Sequence, residues 1–495
     1  MTARRPWWLV PATVYLAMLV IFLAWSPANR SEFPLDDAWI HRVYARSVAF
    51  GHGFAYNAGA QEAGCTSPLW AVLSAPAQWL EQLFGIGGVV WAVKLLGAAL
   101  GALAIAAVYC LARRLTSSIW PAVVAASLFA CEPALMFSAL SGMEVTLVIC
   151  LWLWLLAAIV MQRWRLAAAL LGLLPVARPE ALLLALACLV LLAIQRRITR
   201  RSILYIALPT LLWVAFCALA TGHPLPNTYY VKASGAFSID ALATTFGALV
   251  QHGWMRTIVY PIIGGAALIA YCVRYREARA PLALLAGGSL AFVLAVVSTR
   301  SYLPLGYYWT RWTEPGVLGV AAACALGIAL ALHAMSSAER RIRAGAIAAL
   351  ALVIVASVPR LVGSIIERAA RLGSDGRVIA RLNVAPGRWI AAHTPANSII
   401  GANDAGAIRY FGGRTTIDLV GLNTQEIAFH RIAREDLEQR IDWIAIYPVL
   451  VRSYPGFAQF AVEQRFSIPR EEYTICDCNG PTEMVIGRRV TPPRP

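Results

Sequence analysis

The sequence predicts a polytopic all-α membrane protein of about eleven spanning helices, followed by a C-terminal extracytoplasmic α/β domain. The chain of 495 residues is 59% hydrophobic and only 14% charged, where a water-soluble protein is roughly a quarter charged. Its apolar residues fall in long runs, and roughly 20 such residues cross a bilayer as a helix. The charge is also unevenly placed: residues 1–359 hold 25 basic and 12 acidic residues, residues 360–495 hold 17 and 14. A basic excess confined to the apolar part is what cytoplasmic loops carry. The net charge of +16 therefore reports membrane topology and argues against nucleic acid as a partner.

The expected spans are 7–25, 88–112, 118–138, 143–161, 166–178, 180–195, 202–220, 257–273, 280–298, 315–334 and 344–360. The run from Trp7 to Trp25 is long and is followed by many others, so it reads as a retained helix, not a signal peptide. With Arg4 and Arg5 inside, the clusters at 113–114, 163–165, 196–201, 274–279 and 340–343 all fall on loops of the same side. An odd number of spans then puts the C-terminal domain on the outer face. Counting the apolar segment 68–84 as a crossing would reverse that order, so it is expected at the outer interface or as a re-entrant element, with Trp70 and Trp79 at headgroup level.

The chain divides accordingly into a membrane domain at 1–360 with a first outer loop at 26–87, a connector at 361–376 and an extracytoplasmic domain at 377–495. In the last, 382–393 reads as helix and 398–401, 415–420 and 443–447 as strands; a helix starts at Arg434, and a hairpin joins 473–475 to 484–486. Turns at Asp404-Ala405-Gly406 and Gly412-Gly413 separate these elements, with Asp404 expected to cap a turn or helix and Asp418 to end a buried strand. The ten cysteines show no metal-ligand spacing, and Cys476 with Cys478 read as inert or weakly structural. Neither a dinucleotide fingerprint nor a Walker motif is present, which leaves ATP-driven transport without support.

Chemistry concentrates at Asp36-Asp37, just beyond the first span, followed by His41, Arg42, Tyr44 and Arg46. Acids at a helix start are favoured by its dipole, and a solvated cap explains them without function. Two adjacent carboxylates also repel, which raises one of them toward the range of a general base. Isolated basic residues fall on the outward side: Arg42, Arg46, Arg178, Lys232, Arg256, Arg300 and Arg311. Lone charges near a membrane are costly unless paired or facing a ligand, and arginine suits a phosphate group. Some can pair with Asp36, Glu144, Glu180 or Glu314 instead. Tyr229, Tyr230, Tyr302, Tyr307, Tyr308, Trp309 and Trp312 accompany them and fit an interfacial belt or a sugar-binding surface equally well.

On these residues the chain resembles the GT-C superfamily of membrane glycosyltransferases that use polyprenyl-phosphate sugars, most closely its bacterial arabinofuranosyltransferase-like and mannosyltransferase-like branches. The resemblance runs through Asp36-Asp37-Ala38-Trp39-Ile40-His41-Arg42, Gly51–Asn57, Cys65–Trp70, Ser141–Glu144, Arg178-Pro179-Glu180, Asn227–Lys232 and Tyr302–Trp312, about 360 residues in all, and the segment from Asp404 to Leu422 resembles the extracytoplasmic domain of the arabinofuranosyltransferase-like branch. The basic pair His41-Arg42 departs from its usual pattern. The resemblance implies transfer of a sugar, arabinofuranose or a hexose, from a polyprenyl-phosphate donor to a cell-envelope glycan, lipid or protein acceptor at the outer face of a bacterial inner membrane.

It further implies that Asp36 or Asp37 is catalytic. Lys232, Arg178 and Arg311, with Arg42 in reserve, would hold the donor phosphate. His41, Tyr44, Tyr230, Tyr308, Glu144 and Glu180 are the candidates for the sugar or acceptor side. No cofactor is required; a divalent cation is left open. A secondary transporter or flippase of an envelope precursor, and a non-catalytic assembly scaffold, are the competing readings. Against transport stand the absence of an evident duplicated half and a surplus outer segment of 135 residues at 361–495, connector included.

Overall fold

The computed structural model describes residues 6–232, 239–240, 243, 260–276, 279–298, 311–336, 340–449, 459–475 and 480–490. Helix α1 (Leu9–Trp25) ends at Ser26, whose extended backbone and the following Pro27 stop the rod and open α2 (Pro27–Ser31). The chain turns through 114° between α1 and the stretch Pro27–Ala49. Leu35 is again extended, and α3 (Asp36–Ala49) starts with both aspartates in its first turn. Phe33 and Leu35 are wholly buried beneath that turn, which fixes where the acids point.

α4 (Pro68–Ser74) and a 3-10 turn at Ala75–Leu80 lead into α5 (Glu81–Thr116), which is broken at Gly85 with φ of 63°. Segment 68–84 is thereby set apart from the long apolar rod that follows. There follow α6 (Ile119–Ala130), α7 (Pro133–Leu140), α8 (Val145–Val160), α9 (Trp164–Ala177), α10 (Leu182–Ile194), α11 (Arg200–Thr221) and the short α12 (Asn227–Lys232). Further helices cover Tyr260–Arg274, Arg279–Ser298 through a π turn, Glu314–Met335 and Arg340–Ile379.

Each of the eleven expected spans falls on one of these helices or helix pairs. Among the described residues four helices are long and apolar enough to cross a membrane, or six if each bent pair is one span, with four shorter apolar helices besides. Part of the shortfall from eleven has a local cause. Pro133 divides α6 from α7, and Arg178-Pro179 divides α9 from α10, leaving pieces shorter than a bilayer crossing needs.

The expected connector 361–376 is helical: Arg340–Ile379 runs on through a π turn at Ala380–Val384 into helix Ala385–His393. The C-terminal unit is a five-stranded sheet, ordered β2 (Thr415–Asp418), β1 (Ile399–Ala402), β3 (Trp443–Ile446), β5 (Glu483–Arg489) and β4 (Phe460–Ser467). The first three strands are parallel, and β5 and β4 run antiparallel. The expected hairpin is corrected here. Residues 483–489 pair with Phe460–Ser467 and β3, while Thr474 bonds to Ser374 and Asp375 of the long helix at 2.9 and 2.6 Å. The turn Arg470–Glu472 redirects the chain before it can form a strand, and most of β4 is exposed at the sheet edge, so it lacks a strong apolar signature.

Helix Ala405–Gly412 also replaces what the sequence reads as a turn. Its start is stabilised by a residue some 370 positions earlier in the chain.

Candidate active site

At 3.6 residues per turn, Asp37, His41 and Tyr44 lie along one face of α3, with Arg42 on the far side and Asp36 between. Asp37 makes an ion pair with Arg311, and its side chain keeps 21% exposure, against 3% for residue Asp36. Burial alone would raise its pKa, but Arg311, then Lys232 and His41, overcome burial and hold the carboxyl below its ordinary value. Lys232, ending α12, and Arg311, preceding helix Glu314–Met335, both approach the ring of Trp312, at 5.9 and 4.4 Å from its centre. Two cations from distant segments therefore meet around one carboxylate.

Asp36 faces the C-terminal unit. Its two carboxylate oxygens accept hydrogen bonds from the backbone amides of Gly406 and Ala407, at 2.7 and 2.8 Å. It thus serves as the cap of helix Ala405–Gly412, taking the place of that helix's own Asp404. A Cβ at Gly406 would collide with the backbone oxygen of Asp36, so only glycine allows this approach. Burial first, then repulsion from Asp404, push the Asp36 carboxyl well above the usual range.

Asp404, expected as a cap, is turned away from its helix. Its Oδ2 accepts from Tyr447 Oη at 2.6 Å and Asn383 Nδ2 at 3.0 Å. Burial raises its pKa above the ordinary value; the hydrogen bonds from Tyr447 and Asn383 offset part of that rise, Asp37 adds to it and Arg311 lowers it. Asp418 does end a buried strand; its carboxylate gathers Val420 N, Asn423 N and Asn423 Nδ2, which shapes the loop after β2. Burial pushes it up to about 6.

The other sequence candidates separate into groups. His41 Nε2 lies 3.2 Å from Glu144 Oε2, Glu144 Oε1 lies 2.5 Å from Arg178 Nη1, and Arg178 Nε lies 3.1 Å from Glu180 Oε2. Arg178 is thus enclosed by two carboxylates and does not join the cations at Asp37. Arg42 is wholly buried across α3 from Asp37, 5.7 Å from the Trp70 ring centre, and burial lowers it to about 10. Tyr44 is buried with its hydroxyl donating to Asn423 Oδ1 at 2.9 Å. Tyr230 packs against the stacked rings of His223 and Phe429, with ring centres 5.3 and 5.1 Å away. Tyr308, and with it Tyr302, Tyr307 and Trp309, lies outside the described residues.

Among the described residues no group of three His, Cys, Asp or Glu side chains is arranged to hold a metal ion. Asn383 and Tyr447 escaped the sequence reading. Only the position of Tyr447, directly after a fully buried strand, marks it.

The chain's similarities agree with this architecture. Residues 76–220 match the model of a family described as dolichyl-phosphate-mannose-protein mannosyltransferase, and residues 376–484 match DUF8728, a domain of unknown function. No curated protein matches. The crystal structure of ArnT from Cupriavidus metallidurans bound to undecaprenyl phosphate is similar over 97% of this chain and 98% of that one, at 14% identity and a TM-score of 0.61. Its apo state gives 96%, 97%, 14% and 0.62. The apo oligosaccharyltransferase of Archaeoglobus fulgidus matches over 89% of this chain and 70% of that one, at 13% identity and a TM-score of 0.52. The chain therefore shares its fold with ArnT and with the oligosaccharyltransferase over most of its length, and residues 76–220 within it match the mannosyltransferase family model.

Proposed function

We propose that the protein is a glycosyltransferase that moves a sugar from a polyprenyl-phosphate donor to an acceptor hydroxyl, with Asp37 as general base. The observation that carries this reading is the meeting of Lys232 and Arg311 at Asp37, the partly open member of the Asp36-Asp37 pair. A polyprenyl phosphate is already a leaving group, so the protein must supply a base for the acceptor and positive charge for the departing phosphate. The acceptor O–H gives its proton to Asp37 and its oxygen bonds to the anomeric carbon. The bond from that carbon to the phosphate oxygen breaks, and its electron pair leaves on the polyprenyl phosphate. Arginine has five N–H donors, so Arg311 can hold Asp37 and a phosphate oxygen together.

The similar proteins support the donor class: undecaprenyl phosphate is bound to ArnT, and the family matched at 76–220 is described by dolichyl-phosphate-mannose. Arabinofuranose or a hexose is the proposed sugar, the acceptor belongs to the cell envelope, and the site faces outward from a bacterial inner membrane. Cysteine labelling after Asn57 and after Arg377 checks that both lie on the outer side.

The decisive experiment is transfer by the purified protein in nanodiscs from a panel of polyprenyl-phosphate pentofuranoses and hexoses. Wild type should transfer from one of them and Asp37→Asn should not. A wild type inert toward all of them, yet folded and able to bind polyprenyl phosphate, would falsify the reading.

A further inference from the structure

We infer that Asp404, supplied by the C-terminal unit, binds the acceptor through a second hydroxyl, so that the acceptor is a carbohydrate and not a side chain with a single hydroxyl. The inference rests on Asp37 lying at the transfer site and adds a residue from the domain of unknown function to it.

Asp404 follows β1, and Tyr447 follows β3, both at the carboxyl ends of parallel strands. Ligands of open α/β sheets bind at that edge, and here the edge abuts the first turn of α3. Had Asp404 capped its own helix, its carboxylate would be spent on the amides of Gly406 and Ala407. Asp36 takes both amides, which leaves Asp404, two residues before Gly406 in the chain, to Tyr447 and Asn383.

The hydrogen bonds of Asp404 divide unequally between its oxygens. Oδ2 takes both Tyr447 and Asn383, and Tyr447 is itself fixed by its amide donating to Asn403 Oδ1 at 3.1 Å. Oδ1 accepts from no described residue, and the side chain is only partly buried. Asp37 repeats the pattern: Oδ2 is held by Arg311 and Oδ1 accepts from no described residue. Two anchored carboxylates from different domains thus keep one oxygen each without a described donor, and the bonds from Gly406 and Ala407 to Asp36 bring their chain segments together.

A third polar atom belongs to the same region. His41 lies one turn from Asp37 on the same face, is 3% exposed, and its Nδ1 has no hydrogen-bond partner among the described residues. A carboxylate accepts hydrogen bonds, so what meets Asp404 Oδ1 must donate one. An acceptor offering one hydroxyl would satisfy Asp37 and leave Asp404 without a donor, and leaving such a group unpaired is what lets a site reject analogues. A sugar offers its nucleophilic hydroxyl to Asp37 and another to Asp404.

The test is a binding cycle on the full chain in nanodiscs loaded with undecaprenyl phosphate. Methyl arabinofuranoside, methyl mannopyranoside and their monodeoxy analogues are titrated by saturation-transfer NMR. One parent glycoside should bind wild type, and Asp404→Asn should weaken it by about 10–100-fold. Removing one particular hydroxyl should weaken wild type equally, and combining the two changes should add nothing. Tyr447→Phe, which keeps the carboxylate but removes one of the two donors that hold Oδ2, should give a smaller loss on the same hydroxyl; it carries the cycle if Asp404→Asn does not fold.

Additive losses, unchanged glycoside binding by a folded Asp404→Asn, or a wild type that binds no glycoside would each overturn the assignment. Transfer is scored separately. A non-additive binding cycle without transfer defeats the base role of Asp37 and leaves the acceptor residue standing; transfer with additive losses defeats Asp404 alone.

Discussion

The two sides of the candidate site are held by different forces. On the carboxylate side, the first loop and the C-terminal unit are joined by directed hydrogen bonds. Tyr56 Oη donates to Ala405 O at 2.6 Å, Asn57 and Thr416 exchange a reciprocal pair at 2.9 Å each, and Arg409 Nε donates to Tyr56 O at 2.9 Å. Arg46 adds a bond to Tyr410 O at 3.1 Å and stacks on its ring. On the cation side, Arg311 Nη2 donates a single hydrogen bond to Asp37 Oδ2, and Lys232 acts on Asp37 through charge beside the face of Trp312. Directed bonds fix an angle; charge fixes only a neighbourhood. The acid side is therefore fixed in orientation by several bonds between two units of the chain, whereas on the cation side Lys232 contributes to Asp37 through charge.

The adjacent aspartates give the sharpest way to break this contrast. Asp37→Asn should lower the transfer rate about 10²–10⁴-fold with polyprenyl-phosphate binding retained. Asp36→Asn makes the same charge change one residue away, yet sets an amide NH₂ against a backbone N–H. It should cost roughly 1–3 kcal/mol of stability, because a buried donor loses its acceptor. Initial rates and thermal unfolding of both variants check the pair. Equal rate losses with equal stability would show that the two residues share one role.

Gly406→Ala comes next in size. The added Cβ meets the backbone oxygen of Asp36, and neither helix can yield without breaking other bonds of the interface. A loss of about 1–3 kcal/mol is expected, typical of overpacking, with faster proteolysis of the C-terminal unit. Wild-type protease resistance would mean that the docking is looser than its hydrogen bonds imply.

Much of this contrast is legible in the sequence, but not its cause. Hydropathy and arginine spacing mark the apolar rods, because both are local properties of the chain. Asp36-Asp37 stands out for the same reason. Which of them is open does not, since that depends on Gly406, some 370 residues away. Where Arg178 and Arg42, both expected in the phosphate clamp, lie relative to Asp37 is hidden on similar grounds. Arg178 is enclosed by Glu144 and Glu180, from separate turns, and Arg42 points across the helix from Asp37. The rotation of α3 would have revealed Arg42 from periodicity alone, had the helix start been fixed.

The charge side makes a prediction about pH. Asp37 works as a base when ionised, and Arg311 is the first of the charges that hold its carboxyl below the ordinary value. The wild-type transfer rate should therefore stay level down to below the usual aspartate range as pH falls. Removing the guanidinium in Arg311→Met lets burial dominate, so the Asp37 carboxyl rises and the acid limb must move to higher pH. A pH–rate profile of kcat/KM for both proteins checks the direction. An unmoved limb would assign the base to another group.

The smallest effect sits on Tyr44, a candidate for the acceptor side by sequence that the structure buries completely. Its hydroxyl donates to Asn423 Oδ1, and Asn423 is in turn held by Asp418, so Tyr44 ties α3 to the loop after β2. Tyr44→Phe keeps the ring packing and removes one buried hydrogen bond, which should cost about 1 kcal/mol. A tyrosine that contacted the acceptor would change KM without changing stability; a tyrosine of the interface does the reverse. Thermal unfolding and the acceptor KM of the variant therefore decide between the two, and a raised KM at unchanged stability would move Tyr44 from the welded side of the molecule into the site.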